Sequence, residues 1–229
     1  MAAAEALTLP TGETFVFSEW GDFPVWSRCE FEAGITQDVV VFNYTEAQEI
    51  PGGSTAARAT HYDTNMEEAS QLPIDEVMIV MSIQIRFDES DSDDDDDPGL
   101  VVMSDSAAEG MWKWRQLLEA STFTFTITNQ KPMAEGPIDC FPFGGGMYFQ
   151  YTQDAGAANY AYNPQNGFPT AEAARLLALP LRINTLQPFK GRFRFPRGAL
   201  PNIETTPTTT EDVYGLTTFL YGPRQRPVG

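Results

Sequence analysis

Glu30, Glu32 and Asp38 stand close enough in the chain to offer two carboxylates to a glycosidase-type hydrolysis, one protonating a leaving group while the other activates water or attacks. Their spacing alone neither places nor excludes such a pair. His61 is the sole histidine, so a Ser-His-Asp relay would have to run through it, and the chain has no Gly-x-Ser-x-Gly elbow. The expectation for His61 is a solvated loop position. Histidine-rich zinc centres are excluded. The glycines at 144–146 lack the Lys-Ser or Lys-Thr that completes a phosphate loop. Counted from Asp91 as a calcium loop, the sixth position is Asp96 where glycine is needed and the twelfth is Val102 where glutamate is needed. Asn43-Tyr44-Thr45 fits the glycosylation triplet, a pattern often met by chance. Neither catalytic group, cofactor nor metal set is expected, and the chain reads as a non-enzyme.

What remains is the chemistry of binding. Arg192 and Arg194 alternate with Phe193 and Phe195, so one face of that segment presents guanidinium groups and the other buries phenylalanines. Arg224 and Arg226 lie in a short basic tail. Tyr148, Tyr151, Tyr160 and Tyr162 fall in a stretch rich in Gly, Ala, Asn and Gln, the composition of adaptable protein contact surfaces. These eight residues are the candidate interaction positions.

The charge balance sets their context. The chain has 32 acidic and 14 basic residues, a net charge of −18, and of the bases only Lys113, Lys131 and Lys190 are lysines. An acidic surface poor in lysine suits concentrated salt, where a Debye length of about 3 Å at 1 M makes self-repulsion tolerable. So negative a chain is not expected to take nucleic acid as its principal ligand. The charge is uneven: residues 1–170 carry 28 acids and 6 bases, residues 171–229 carry 4 acids and 8 bases. One part of the surface must differ from the rest.

The elements that must position these groups read as strands. Residues 77–87 are apolar at every odd position, and the even positions pass from Met78 and Val80 to Ser82, Gln84 and Arg86, which predicts a strand buried on both faces at its start and wet on one at its end. An acidic tip at 88–99 follows, and 100–103 turns back to make a hairpin. Residues 121–128 alternate strictly, with Phe123, Phe125 and Ile127 inward. Further strands are expected over 14–20, 23–32 (broken by Pro24), 38–44, 181–184, 192–195 and 213–221. Two short helices are expected: 106–118, opened by the Ser106 to Glu109 capping-box spacing, and 170–179, stopped by Pro180. Segments 45–75 and 132–170 lack a sustained period and read as insertions. Cys29 and Cys140 lack metal-site spacing and read as unpaired thiols, a disulfide being the alternative. No targeting segment is expected, and no run reaches the roughly 18 apolar residues of a membrane span.

At least eight strands with long connections make an all-β single jelly roll over residues 1–229 the expected fold, with the two short helices and the insertions added to it. The acidic, lysine-poor composition, the aromatic strands, the tryptophan-bearing helix segment ahead of 121–128 and the Arg/Phe strand leading to 213–221 resemble a major capsid protein. The resemblance is to the larger of the two major capsid proteins of tailless icosahedral haloarchaeal viruses that enclose an internal membrane. It implies an upright single jelly roll with an outward tower on the larger type. The implied partners are other copies and a second, smaller major capsid protein in pseudo-hexameric capsomers, with the viral membrane beneath and the virion as location. A surface or secreted jelly-roll carbohydrate-binding module, with the tyrosines as sugar platform, is the alternative.

Overall fold

The computed structural model describes residues 6–8, 12, 14–16, 20–32, 36–52, 58–89, 120–128, 131–143, 148–153, 160–165, 176–198 and 213–226. Its strands are β1 (Ala6–Thr8), β2 (Thr14–Val16), β3 (Trp20–Asp22), β4 (Val25–Glu32), β5 (Val39–Val41), β6 (Val77–Glu89), β7 (Thr122–Ile127), β8 (Ala134–Pro137), β9 (Tyr148–Gln153), β10 (Tyr160–Gln165), β11 (Leu176–Ile183), β12 (Phe189–Arg194), β13 (Val213–Tyr221) and β14 (Pro223–Gln225). The fold is all-β. Among the described residues, helix is confined to a 3-10 turn at Ile138–Cys140 and to Ala120.

Two antiparallel sheets face each other across one apolar core. One runs β3-β14-β6-β13-β4 with β11 on the other edge of β6; the second runs β5-β12-β7-β8. Val25, Cys29, Ile83, Ile85, Leu216 and Leu220 of the first sheet meet Val41, Phe123, Phe125, Phe189 and Phe193 of the second. The phenylalanines interlock, with Phe123 at 4.9 Å from Phe193 and 5.2 Å from Phe141, and Phe42 at 5.6 Å from Phe189. Each such pair contributes about 0.5–1.5 kcal/mol beyond its buried area. The alternation expected at 121–128 holds, with Phe123 and Phe125 fully buried. Cys29 and Cys140 are free thiols, the first buried and 3.6 Å from the Leu216 carbonyl.

Several expectations from sequence are corrected. The inward face of β6 is not one parity throughout: Met78 and Val80 join the core ahead of Ile83 and Ile85. The register explains it. Arg224 pairs with Met78 and Tyr221 with Ser82, so β6 spends one residue more than its partner across this joint, and a bulge flips the side-chain alternation. Ser82 and Gln84 are buried, so the middle of the face expected to be wet is covered. Asp88 and Glu89 belong to β6, paired with Gly215 and Tyr214, so the acidic tip starts two residues later than expected; its remainder, the return at 100–103 and the helix at 106–118 lie outside the described residues. The helix expected over 170–179 is overturned where it is described. Leu176–Ile183 is strand, hydrogen-bonded to the edge of β6, and Pro180 sits in the bulge between its paired stretches, where no ladder donor is required. The 14–20 strand divides between β2, paired with β1, and β3, which takes in Gly21 and Asp22. The basic tail continues the sheet as β14.

The described stretches 42–52 and 58–76 pack on the two-sheet body. They lie along the free edge of β4, where Trp26 N donates to Asn65 Oδ1, Arg28 N to the Asp63 carbonyl and Glu30 N to the Pro51 carbonyl. Those are donors that an edge strand would otherwise expose. Phe42, Tyr44, Asp63, Thr64, Met66 and Leu72 are buried in the process.

Candidate interaction surfaces

The four candidate arginines fall on two separate sheets. On β12, Gly191 and Phe193 are buried while Lys190, Arg192 and Arg194 point away from the core. Asp38, just ahead of β5, reaches both guanidinium groups, with its Oδ2 3.4 Å from Arg192 Nη1 and 3.4 Å from Arg194 Nε. Arg192 pairs opposite Thr124 of β7, whose buried hydroxyl has no protein partner among the described residues.

Arg224 and Arg226 are on β14, beside the first residues of β6. Arg224 is 2% exposed and neutralised by Glu76, so in the isolated chain it is an interior group. Arg226 remains accessible. Its Nε is 3.5 Å from Glu76 Oε1, its Nη2 3.9 Å from Glu67 Oε1, and its guanidinium lies 4.8 Å above the Phe23 ring. The structure therefore does not gather the four arginines into one cluster.

Sequence reading missed the cleft beside Arg226. It has a volume of about 710 Å³ and is walled by Phe23, Trp26, Glu46, His61, Glu67 and Arg226. His61 Nδ1 is 2.7 Å from Glu46 Oε1, and its ring stands edge-on to Trp26 at 5.3 Å. Trp26 Nε1 donates to the His61 and Tyr62 carbonyls, which fixes the indole in the wall. These residues come from four distant stretches, and only the solitary His61 and the Phe23-Pro24-Val25-Trp26 turn could have drawn attention to them.

Two of the three carboxylates considered for hydrolysis, Glu30 and Asp38, are engaged with arginine. Glu30 is buried against Arg28, Oε1 to Nη2 3.3 Å, and Arg28 Nη1 is also 3.1 Å from Asp63 Oδ1. Burial pushes the Glu30 carboxyl above its ordinary value, with Arg28 opposing and Asp63 adding to the rise. Asp38 serves the β12 arginines, and the Glu32 side chain lies outside the described residues. Burial also raises the Tyr44 phenol, which donates to the Arg28 carbonyl at 2.6 Å.

Of the candidate tyrosines the structure describes the backbone. β9 and β10 form a two-stranded antiparallel sheet in which Tyr151 pairs opposite Tyr162, Tyr160 opposite Gln153 and Tyr148 opposite Gln165. Comparison with protein families, with characterised proteins and with solved structures finds no match to this chain.

Proposed function

We propose that this chain is a structural subunit of an icosahedral virion shell, of the larger major capsid type, built as a single jelly roll and working in concentrated salt. One observation carries the reading. Taken in chain order, β4, β5, β6, β7, β8, β11, β12 and β13 are eight strands. The first sheet has them in the order 1-8-3-6, the second in the order 2-7-4-5. The antiparallel partners 1 with 8, 2 with 7, 3 with 6 and 4 with 5 match those expected of one long hairpin rolled up on itself, which supports the jelly-roll reading.

The connections support an upright, two-ended subunit. By the strand directions, 90–121, 138–175 and 195–212 all leave from the end at which β4, β6, β8 and β12 finish. Asp88 and Glu89 finish β6 at that end, and the β9–β10 hairpin belongs to a connection that leaves from it, elements suited to an outward tower and to contacts with neighbours. The opposite end has the short connections 128–133 and 184–188, the departure and return of the longer 42–76 connection, and β14 with Arg226. In this reading it faces the viral membrane, and the partners are further copies and a smaller second capsid protein. The test is electron microscopy of native material pelleted from molar salt, with an antibody to the chain. Labelled virus-sized particles that contain a second abundant coat protein are expected; a chain found only as a 25.4 kDa soluble species would overturn the reading.

The cleft favours a second reading, a carbohydrate-binding module. Its volume lies within the roughly 300–1,000 Å³ of small-ligand sites, and aromatic rings beside carboxylates suit a sugar. A glycan array probed in molar salt, with Phe23→Ala as control, separates the two: glycan binding lost in the variant supports the module, and no binding removes it.

A further inference from the structure

We propose that the cationic track on the outer face of β12 is a docking surface for the acidic run of a second copy of this chain. The track consists of Lys190, Arg192 and Arg194 on alternate residues, followed by exposed Arg197 in the turn beyond β12. Among the described residues the carboxylate in ion-pair contact with it is Asp38, shared by Arg192 and Arg194. Glu135 on β8 is a further acid, set opposite Thr124 and so separated from β12 by β7. Positive charge is in excess along this strand of a chain whose net charge is −18.

The spacing names the ligand. Alternate residues of an extended strand are about 6.6 Å apart on one face. An extended acidic peptide repeats its carboxylates at that same interval, so the two can lie side by side with each base meeting an acid. Position 91 and positions 93–97 of this sequence supply such a peptide, and no lysine or arginine occurs from 87 to 112. The nearest preceding base, Arg86, is held among Tyr62, Phe143 and Phe219 at 5.2–5.8 Å. Each copy has one track and one run, so a head-to-tail contact uses both. In brine only direct contact pairs survive screening, and the planar fork of arginine suits them.

The contact rests on the shell reading, since a chain that works alone has no second copy to receive. The experiment mixes nitrogen-15-labelled and unlabelled chains in 3 M salt and couples lysine to carboxylate with a zero-length carbodiimide. With three lysines in the chain the products can be read unambiguously. Expected is a Lys190 cross-link to the 91–97 run that joins labelled to unlabelled chains. Two variants accompany it: Lys190→Gln with Arg192→Gln and Arg194→Gln, and aspartate to asparagine at 93–97. Each is expected to weaken self-association at least tenfold with an unchanged melting temperature, although they move net charge in opposite directions. Cross-links confined within one chain overturn the second-copy assignment. Undiminished particles in the track variant overturn the docking surface and leave the shell reading standing. Inter-chain Lys190 cross-links without any large particle uphold the contact and remove the shell reading instead.

Discussion

Arg224 donates through Nε to Glu76 Oε2 at 2.6 Å, joining two buried side chains 148 residues apart in sequence. The contact ties β14 to the residue just ahead of β6. Burial lowers the Arg224 guanidinium from its ordinary value and Glu76 works against that fall. Arg224→Met leaves Glu76 buried with only Arg226 nearby, at a cost of about 3 kcal/mol, the low end for breaking a buried pair. Arg224→Met with Glu76→Leu should regain most of the loss. Urea unfolding at fixed salt measures both, and equal losses in the single and double variants would contradict the assignment.

Gly222 lets β13 run on into β14. Its φ is +148°, and a Cβ there would lie 1.9 Å from the Ile79 carbonyl oxygen. Gly222→Ala should therefore cost more than about 3 kcal/mol, strain and a backbone clash together. Gly198→Ala is the control: its φ is +102° but nothing lies within 4 Å, so strain alone, about 1–2 kcal/mol, is expected. Comparable unfolding midpoints for the two variants would show that the Ile79 contact does not matter.

Glu30 gives the fold a pH dependence of definite sign. Because its carboxyl is raised in the folded chain, its contribution is complete below the ordinary carboxylate range and declines as pH rises through the raised value. Glu30→Gln removes that decline while its amide oxygen still accepts from Arg28. Relative to the natural chain, the variant should gain stability between about pH 4 and pH 7. Melting temperatures across that range test it; a variant that loses ground as pH rises would reverse the sign and refute the burial argument.

The outer face of the first sheet is held by Arg86, which reaches the Tyr62 hydroxyl at 3.0 Å and stacks with Phe143 and Phe219. Arg86→Lys keeps the charge and loses the planar stacking. Amide exchange should then rise at 58–66 and 141–143 with little change on β7; unchanged protection at both segments would mean that the stacking does not hold them.

Sequence period was enough for the inward phenylalanines of β7 and the outward bases of β12, although Thr124, at an outward position of β7, is buried as well. It failed at the β6 bulge, because the extra residue is set by the partner strand turning at Gly222 and leaves no mark in the apolar run itself. It failed at 176–179, where three leucines and an alanine suit a helix and the edge of β6 offers hydrogen bonds that decide for a strand. The cleft was illegible for a different reason. Phe23, Glu46, His61 and Arg226 become neighbours only once 42–76 is laid along β4 and β14 is docked on β6. The arginines were legible as charged and not as buried: nothing near Arg224 in the sequence announces Glu76.

Salt should separate interior from surface electrostatics. The Arg28–Asp63 and Arg224–Glu76 pairs are buried, so ions screen them weakly. The repulsion implied by a net charge of −18 is exposed to screening. Lowering salt from about 1 M to about 0.1 M lengthens the Debye length from roughly 3 to 10 Å, which brings distant acids back into mutual repulsion. The melting temperature should fall as salt is withdrawn. The size of the fall should shrink when the aspartates at 93–97 become asparagine. Arg224→Met, by contrast, should lower the whole curve and leave its slope unchanged. A melting temperature flat from 0.1 to 3 M would end the reading of this surface as an adaptation to brine, and a slope altered only by Arg224→Met would place the salt response inside the fold.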